Sequence, residues 1–367
     1  MTLPLLVSIV GTRPEAIKMA PVARALARLP GIEHEVVLTG QHGGLETHFE
    51  LPAGGLSRLG FNPRDRDVAS VRTALRALLC GRFRRRPPDL VLVHGDTTSA
   101  AAGALAALDC GIPIGHVESG LRSFDLDRPW PEEGHRVAID ALAELLFAPT
   151  EESARNLRLE PRVKGRVFVT GNTGIDALLE VQAGIDRSDS EAEPERRPIL
   201  VTCHRRENQG EPARAVCAAL RRMTAELPVR IEAPLHLNPL ARGPFEAALA
   251  GADHVELLEP QGYEAMVRLM DRSWLILTDS GGLQEEAPAL GRPVLVLRDV
   301  TERPEALNSG NLELVGTDPD RIFGAVAGLL ADPERYARMA RPAFPFGDGR
   351  ASERIAEAIA AWLAGRS

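Results

Sequence analysis

Short apolar runs alternate with helix-length amphipathic stretches along almost the whole chain, and nothing else in the sequence restricts the fold as tightly. Runs rich in Val, Ile and Leu stand at 5–10, 35–38, 90–94, 113–117, 145–148 and 167–170. They are continuous rather than alternating, as in strands covered on both faces of a parallel sheet. Segments with helical spacing, such as 17–29, 99–108 and 151–159, lie between them. That order predicts βαβ units wound into a parallel sheet. The alternation stops at 181–197, a charged stretch poor in apolar anchors that reads as an exposed linker. It restarts with runs at 199–202, 230–233, 255–258, 274–277, 294–297 and 312–315. The expectation is an α/β protein of two Rossmann-like, doubly wound domains, 1–180 and 198–349, followed by a helix within 350–367. A length of 367 residues suits two such domains.

Composition excludes several classes of function. A net charge of −8 argues against a nucleic-acid or anionic-membrane binder, which needs a basic field. All basic residues but Lys18 and Lys164 are arginines, and Met19 and Gly165 follow those two lysines. No Walker A loop is therefore present, and no G-x-G-x-x-G fingerprint is either. Cys80, Cys110, Cys203 and Cys217 form no C-x-x-C pair, and reduced thiols are expected. The first ten residues lack a basic segment and read as a first strand. No run approaches 18 apolar residues, so the cytoplasm is the default location.

Ligands of open α/β sheets gather beyond the carboxyl ends of the strands, so the loops after each run hold the candidates. After the first, Gly11 permits a tight turn, and Arg13 and Lys18 bring two cations to a helix start. This is an anion site or a solvated basic loop. Asp96 follows another run, as a reactive carboxylate or as a helix cap. Glu118 stands beside a Gly turn, with Arg122 spaced for a local ion pair. Two prolines stiffen the loop before Glu132 and Glu133, which also suit a helix start. His204 lies between a run and Arg205 and Arg206, placed to meet phosphate. Ser280, Gly281 and Gly282 turn from a run into a helix, where backbone N–H groups can meet a diphosphate. Glu286 lies about one turn further, placed for ribose hydroxyls, and Arg303 follows the next run. The stretch 234–239, containing His236, is a structural turn or a domain-interface contact. A diphosphate and ribose site in one half with several carboxylates in the other suits a nucleotide-sugar enzyme acting on a C–H or C–O bond.

These stretches carry a resemblance. The chain resembles the non-hydrolysing UDP-N-acetylglucosamine 2-epimerases of bacteria in GTRPEAIKMAP (11–21), TGQH (39–42), HGDTT (94–98), HVESGLRS (116–123), PWPEE (129–133), HRREN (204–208), LTDSGGLQEEAPALGRPVL (277–295), TERPEAL (301–307) and PFGDGRASERI (345–355). The resemblance implies the two-domain GT-B architecture, with the domains facing a central cleft and the final helix crossing back to the first. It implies interconversion of UDP-N-acetylglucosamine and UDP-N-acetylmannosamine without NAD or an essential metal. The implied route is anti elimination of UDP to 2-acetamidoglucal, then re-addition. By motif position, Asp96, Glu118 and Glu132 resemble the catalytic carboxylates and His204 the histidine near the diphosphate. Arg13 and Lys18 match diphosphate cations. Gln261, Ser280, Gly281, Gly282, Glu286 and Arg303 match uridine, phosphate and ribose contacts. The resemblance also implies a homodimer and a role in surface polysaccharide synthesis.

Departures from the pattern are Ser119 for Ala, Ser123 for Thr, His135 for Asn, and Gly43-Gly44 after TGQH. In some relatives that last loop holds a second, activating substrate molecule. Gln41, His42, Arg206 and His236 are the candidates for such a site here. Two rivals are a 2-epimerase of a modified UDP-sugar, such as a diacetamido-glucuronate, and a GT-B glycosyltransferase. The carboxylates at 96, 118 and 132 argue against the transferase.

Overall fold

The computed structural model describes residues 3–49, 55–63, 67–127, 129–186, 195–301 and 303–366. The chain divides into unit 1, Met1–Ala177 with Gly347–Ser367, and unit 2, Leu178–Phe346. The centre of the expected linker, 187–194, lies outside the described residues, as do Arg128 and Glu302.

Unit 1 runs β1 (Leu5–Val10), α1 (Arg13–Ala27), β2 (Glu33–Leu38), β3 (Leu56–Arg58), α2 (Val68–Arg85), β4 (Leu90–His94), α3 (Thr98–Asp109), β5 (Ile114–Val117), α4 (Glu132–Leu142), β6 (Leu145–Ala148), α5 (Glu151–Leu159), β7 (Arg166–Val169) and the start of α6 (Thr173–Ala183). Its strands form one sheet in the order β3-β2-β1-β4-β5-β6-β7, and all the pairings are parallel. β1 shows why. All six of its residues are buried, and alternate side chains serve two different cores. Leu5, Val7 and Ile9 join Leu79 and Phe83 of α2 and the alanines of α3. Leu6 and Val10 join Met19, Val22 and Leu26 of α1 on the other face. A strand covered on both faces has no need of polar alternation.

Unit 2 continues with β8 (Arg197–Thr202), α7 (Glu211–Glu226), β9 (Val229–Pro234), α8 (Pro239–Leu249), β10 (Val255–Leu258), α9 (Tyr263–Arg272), β11 (Leu275–Thr278), α10 (Gly281–Glu286), β12 (Val294–Val296), α11 (Pro304–Asn308), β13 (Leu312–Leu314), α12 (Pro319–Ala331) and α13 (Pro333–Met339). Its sheet, β10-β9-β8-β11-β12-β13, is again parallel. Each sheet reverses its winding direction once, between β1 and β4 in unit 1 and between β8 and β11 in unit 2. Such switch points leave an open crevice at the strand carboxyl ends.

The last helix, α14 (Ala351–Ala364), belongs to unit 1. Asp176 of α6 accepts from the backbone N–H groups of Ala351 and Ser352, at 3.2 and 2.7 Å, and so satisfies two donors at the helix start. Ile355, Ile359 and Trp362 then fill the core against α1. The expected domain limits move accordingly. The division falls inside α6, at Ala177 and Leu178, rather than after 180, and α6 takes the first three residues of the expected linker. The reason is local: Asp176 is committed to α14, whereas Gln182 donates to Asp271 of unit 2 at 2.9 Å.

Candidate active site

In unit 1 the loop after β1 is shaped by Gly11. A Cβ there would lie 1.9 Å from Ser99 Oγ, so only glycine lets the loop rest against α3. Thr12 caps α1 and Glu15 reaches back in a capping box. Buried Glu15 accepts from Gly11 N at 3.0 Å, Thr12 N at 2.7 Å, Thr12 Oγ1 at 2.9 Å and Thr97 Oγ1 at 2.6 Å. Burial raises its pKa to about 7, against the pull of those donors. Arg13 is exposed, and its backbone N–H donates to His42 Nδ1 at 3.4 Å. Gln41 accepts from Ser99 Oγ at 2.6 Å.

Lys18 of α1 forms an ion pair with Glu118, beyond the end of β5. Glu118 has φ +65°, a left-handed conformation that costs a side-chain-bearing residue free energy and concentrates at functional sites. Gly95, also left-handed, makes room for it, because a Cβ at 95 would lie 3.2 Å from Glu118 Oε2. His94 is buried beside them, its Nε2 3.9 Å from Glu118 Oε2 and without a hydrogen-bond partner. Burial lowers the His94 pKa to about 4, outweighing the pull of Glu118, so the ring is neutral at pH 7.

Two local readings of these loops fail. Asp96 does not cap α3; Thr97 does, accepting from Ala100 N at 3.0 Å. Asp96 instead pairs with Arg136 of α4, whose Nε lies 3.1 Å from Oδ2. Nor does Glu118 pair with Arg122, which reaches Asp140 at 2.6 Å and Glu160 at 2.5 Å. Glu132 opens α4, and its Oε2 is buried without a hydrogen-bond partner. Its neighbour Glu133 accepts from Ser123 N and Phe124 N, both at 3.1 Å. His135 donates from Nδ1 to the Asp96 carbonyl at 2.9 Å, and its Nε2 faces Arg72 at 3.5 Å. Asp96 and Glu118 thus follow the ends of β4 and β5 with Lys18 and the neutral His94 imidazole beside Glu118, and Glu132 opens α4, a set suited to proton transfer.

In unit 2, fully buried Asp279 follows β11 and organises the turn after β8. Its Oδ2 accepts from His204 N at 2.9 Å, Arg205 N at 2.8 Å and Asn208 Nδ2 at 3.0 Å. The His204 ring has Nδ1 3.3 Å from Asp279 Oδ1 and stacks on His236 with centroids 5.3 Å apart. Burial lowers the His204 pKa, and Asp279 pulls the other way. Ser280 is the N-cap of α10 and Gly281 its first residue. A Cβ on Gly281 would lie 3.3 Å from Arg205 Nη2 and 3.6 Å from Arg303 Nη2, so two guanidiniums converge on this turn. Arg303 is braced by Glu285, and its backbone N donates to Thr301 Oγ1 at 3.1 Å. Paired cations beside a glycine turn hold anions, phosphate above all. Gly282 is exposed beside them. Glu286 closes the six-residue α10 and accepts from Tyr263 Oη at 3.4 Å. The Gln261 amide donates to its neighbour's carbonyl, Glu259 O, at 2.6 Å. Arg206 is exposed on a short turn of 3₁₀ helix. Of the expected regulatory set, Gln41 and His42 belong to unit 1, and Arg206 and His236 to unit 2.

A family model described as UDP-N-acetylglucosamine 2-epimerase matches residues 24–360. The chain belongs to the UDP-N-acetylglucosamine 2-epimerase family. It is therefore an isomerase. The UDP-N-acetylglucosamine 2-epimerase of Escherichia coli strain K12 is 44% identical over 96% of this chain and 97% of its own. The crystal structure of the Neisseria meningitidis UDP-GlcNAc 2-epimerase bound to UDP-GlcNAc superposes with a TM-score of 0.86 at 40% identity, covering 97% of this chain and all of that one. A Staphylococcus aureus MnaA–UDP co-structure gives 0.87 at 39% identity, over 99% and 97% of the two chains. The fold is accordingly α/β of the GT-B kind. Among the described residues, no helix of this epimerase is long and apolar enough to cross a membrane.

Several residues that build the candidate site escape a reading of single loops. Glu15 was in reach, because T-x-x-E spells a capping box. Asp279 was in view as the first polar side chain after β11. The pairing of Arg136 with Asp96, and of Asp140 with His116, joins residues 40 and 24 positions apart and leaves no local signal.

Proposed function

We propose that the chain interconverts UDP-N-acetylglucosamine and UDP-N-acetylmannosamine. A carboxylate takes the C2 proton, the C2–H electron pair forms the C1=C2 bond, and the C1–O pair leaves with UDP. The resulting 2-acetamidoglucal receives UDP back at C1 and a proton on the other face of C2. The observation that carries this reading is the set of three carboxylates at the ends of β4 and β5 and the start of α4, Glu118 among them paired with Lys18 and held left-handed. Asp96, Glu118 and Glu132 are assigned to proton transfer at C2. Arg13, Lys18, Arg303, Ser280 and the N–H groups of Gly281 and Gly282 are assigned to the diphosphate, where charge grows as UDP departs. Arg205 joins them from the geometry at Gly281. His204 is assigned to the leaving phosphate, and Glu286 and Gln261 to the ribose and uridine. Only a proton and UDP move, so the route needs no redox cofactor. The substrate bound in the Neisseria structure and the UDP in the Staphylococcus structure support it. From the family resemblance we further propose a cytoplasmic homodimer serving surface polysaccharide synthesis.

The test is NMR of the purified protein with UDP-N-acetylglucosamine in D2O. The expected result is UDP-N-acetylmannosamine carrying deuterium at C2. Product without solvent label excludes the elimination. No conversion in either direction, with UDP still bound, overturns the substrate assignment.

A further inference from the structure

The segment that carries Glu118 is held on both sides by one side chain. Asp140, fully buried on α4, accepts from His116 Nδ1 at 2.6 Å through Oδ1. Through Oδ2 it accepts from Arg122 Nη1 at 2.6 Å and from Gly120 N at 3.2 Å. His116 lies two residues before Glu118, and Gly120 and Arg122 lie two and four after it. The other ring nitrogen, His116 Nε2, donates to Gly95 O at 2.8 Å and so fixes the glycine that packs against Glu118. The way out of the loop is equally confined. Gly120 has φ +83°, a Cβ on it would lie 2.3 Å from Ser153 O, and its carbonyl accepts from Asn156 Nδ2 at 3.0 Å.

The same helix reaches the other two carboxylates. Glu132 is its first residue, Arg136 pairs with the Asp96 side chain, and His135 holds the Asp96 carbonyl. Positions 132, 136 and 140 are spaced by four, which sets them along one helix face. A shift of α4 would therefore displace all three carboxylates together.

We propose that Asp140 is a positioning residue for the epimerisation, acting through the backbone of Glu118, and that α4 is the shared support of the three carboxylates. The inference rests on the reaction assigned above. The Asp140 carboxylate is fully buried and taken up by His116, Gly120 and Arg122. It keeps Glu118 in a conformation that an unconstrained glutamate would leave, and its removal lets the Glu118 carboxylate drift from the proton it must reach. A misplacement of about 1 Å is enough to cost on the order of 100-fold in rate.

The experiment is steady-state kinetics of full-length Asp140→Asn with protiated and C2-deuterated substrate, together with UDP titration. The expected result is a kcat lower by about 10- to 100-fold with KM and UDP affinity within about threefold, and a larger C2 isotope effect. A general loss of packing would not raise the isotope effect. If Asp140→Asn does not fold, Arg122→Lys carries the test, since it keeps a cation beside Asp140 while altering its geometry, and the same signature is expected at smaller size. Unchanged kcat and isotope effect in whichever variant folds overturn the proposal. A wild type that leaves C2 unlabelled in D2O overturns the reaction and this inference with it, whereas a labelled wild type with indifferent variants overturns this inference alone.

Discussion

Glu15 is an acid on which burial and hydrogen bonding act in opposite senses. Its folded pKa of about 7, against 4.5 for the free side chain, means that the folded state keeps a proton that the unfolded chain gives up. Below pH 4.5 both states are protonated; between 4.5 and 7 the unfolded state ionises first and stability falls; above 7 the loss is constant. The full loss is on the order of 3 kcal/mol. Glu15→Gln keeps the shape, with its carbonyl oxygen facing Gly11 N and Thr12 and its amide donating to the Thr97 hydroxyl. In denaturant unfolding, the variant should gain on the wild type by on the order of 1–3 kcal/mol between pH 5 and pH 8. A difference that stays flat with pH would show that the four donors fully compensate the buried charge. His34 and His94, buried with pKa values of about 4, have the opposite sign, and their stability is lost as pH falls from 6.5 to 4. Both proteins carry them, so the comparison cancels their effect.

At the scale of elements, the tightest constraint is where the β5 loop passes α5. Gly120→Ala would place a methyl group against the Ser153 carbonyl in a left-handed conformation. Chemical denaturation should show a loss of about 3 kcal/mol or more, and an unchanged midpoint would mean that the loop can move away. The strands were largely legible because β1, β4 and β6 are buried on both faces and need continuous apolar residues. Their limits differ by a residue or two, as at β2, which begins at Glu33. β3 was missed: it is a three-residue edge strand containing Ser57 and Arg58, with too little pattern to read. α1 begins four residues before its apolar periodicity because the Thr12–Glu15 cap starts it. The candidate carboxylates were visible from their places after strands. What their neighbours do was not. Asp96 and Glu118 each had an adequate local explanation, and only long-range pairing with Arg136 and Lys18 removes it.

At the scale of the molecule, the candidate residues fall into two groups, one in each unit. The paired guanidiniums and the glycine turn lie wholly within unit 2, and the three carboxylates wholly within unit 1. Binding and turnover should therefore separate by mutation. Arg303→Ala should weaken UDP by about tenfold or more, the worth of a charge-assisted hydrogen bond. Glu118→Gln should leave UDP affinity within about threefold while turnover falls by about 100-fold or more. Calorimetric titration beside the kinetic assay checks both, and loss of UDP binding in Glu118→Gln would refute the division of labour.

The discontinuity of unit 1 also has a consequence for how the chain is made. A ribosome delivers residues 1–177 first, then all of unit 2, and only afterwards α14. At about 5–20 residues per second the wait is on the order of ten to thirty seconds. Throughout it, the faces of Met19, Val22 and Leu26 that later receive Ile355, Ile359 and Trp362 stay uncovered and open to chaperones. The unit translated second is the first to have all its parts. A chain cut short before α14 would hold every part of unit 2 while leaving unit 1 unfinished.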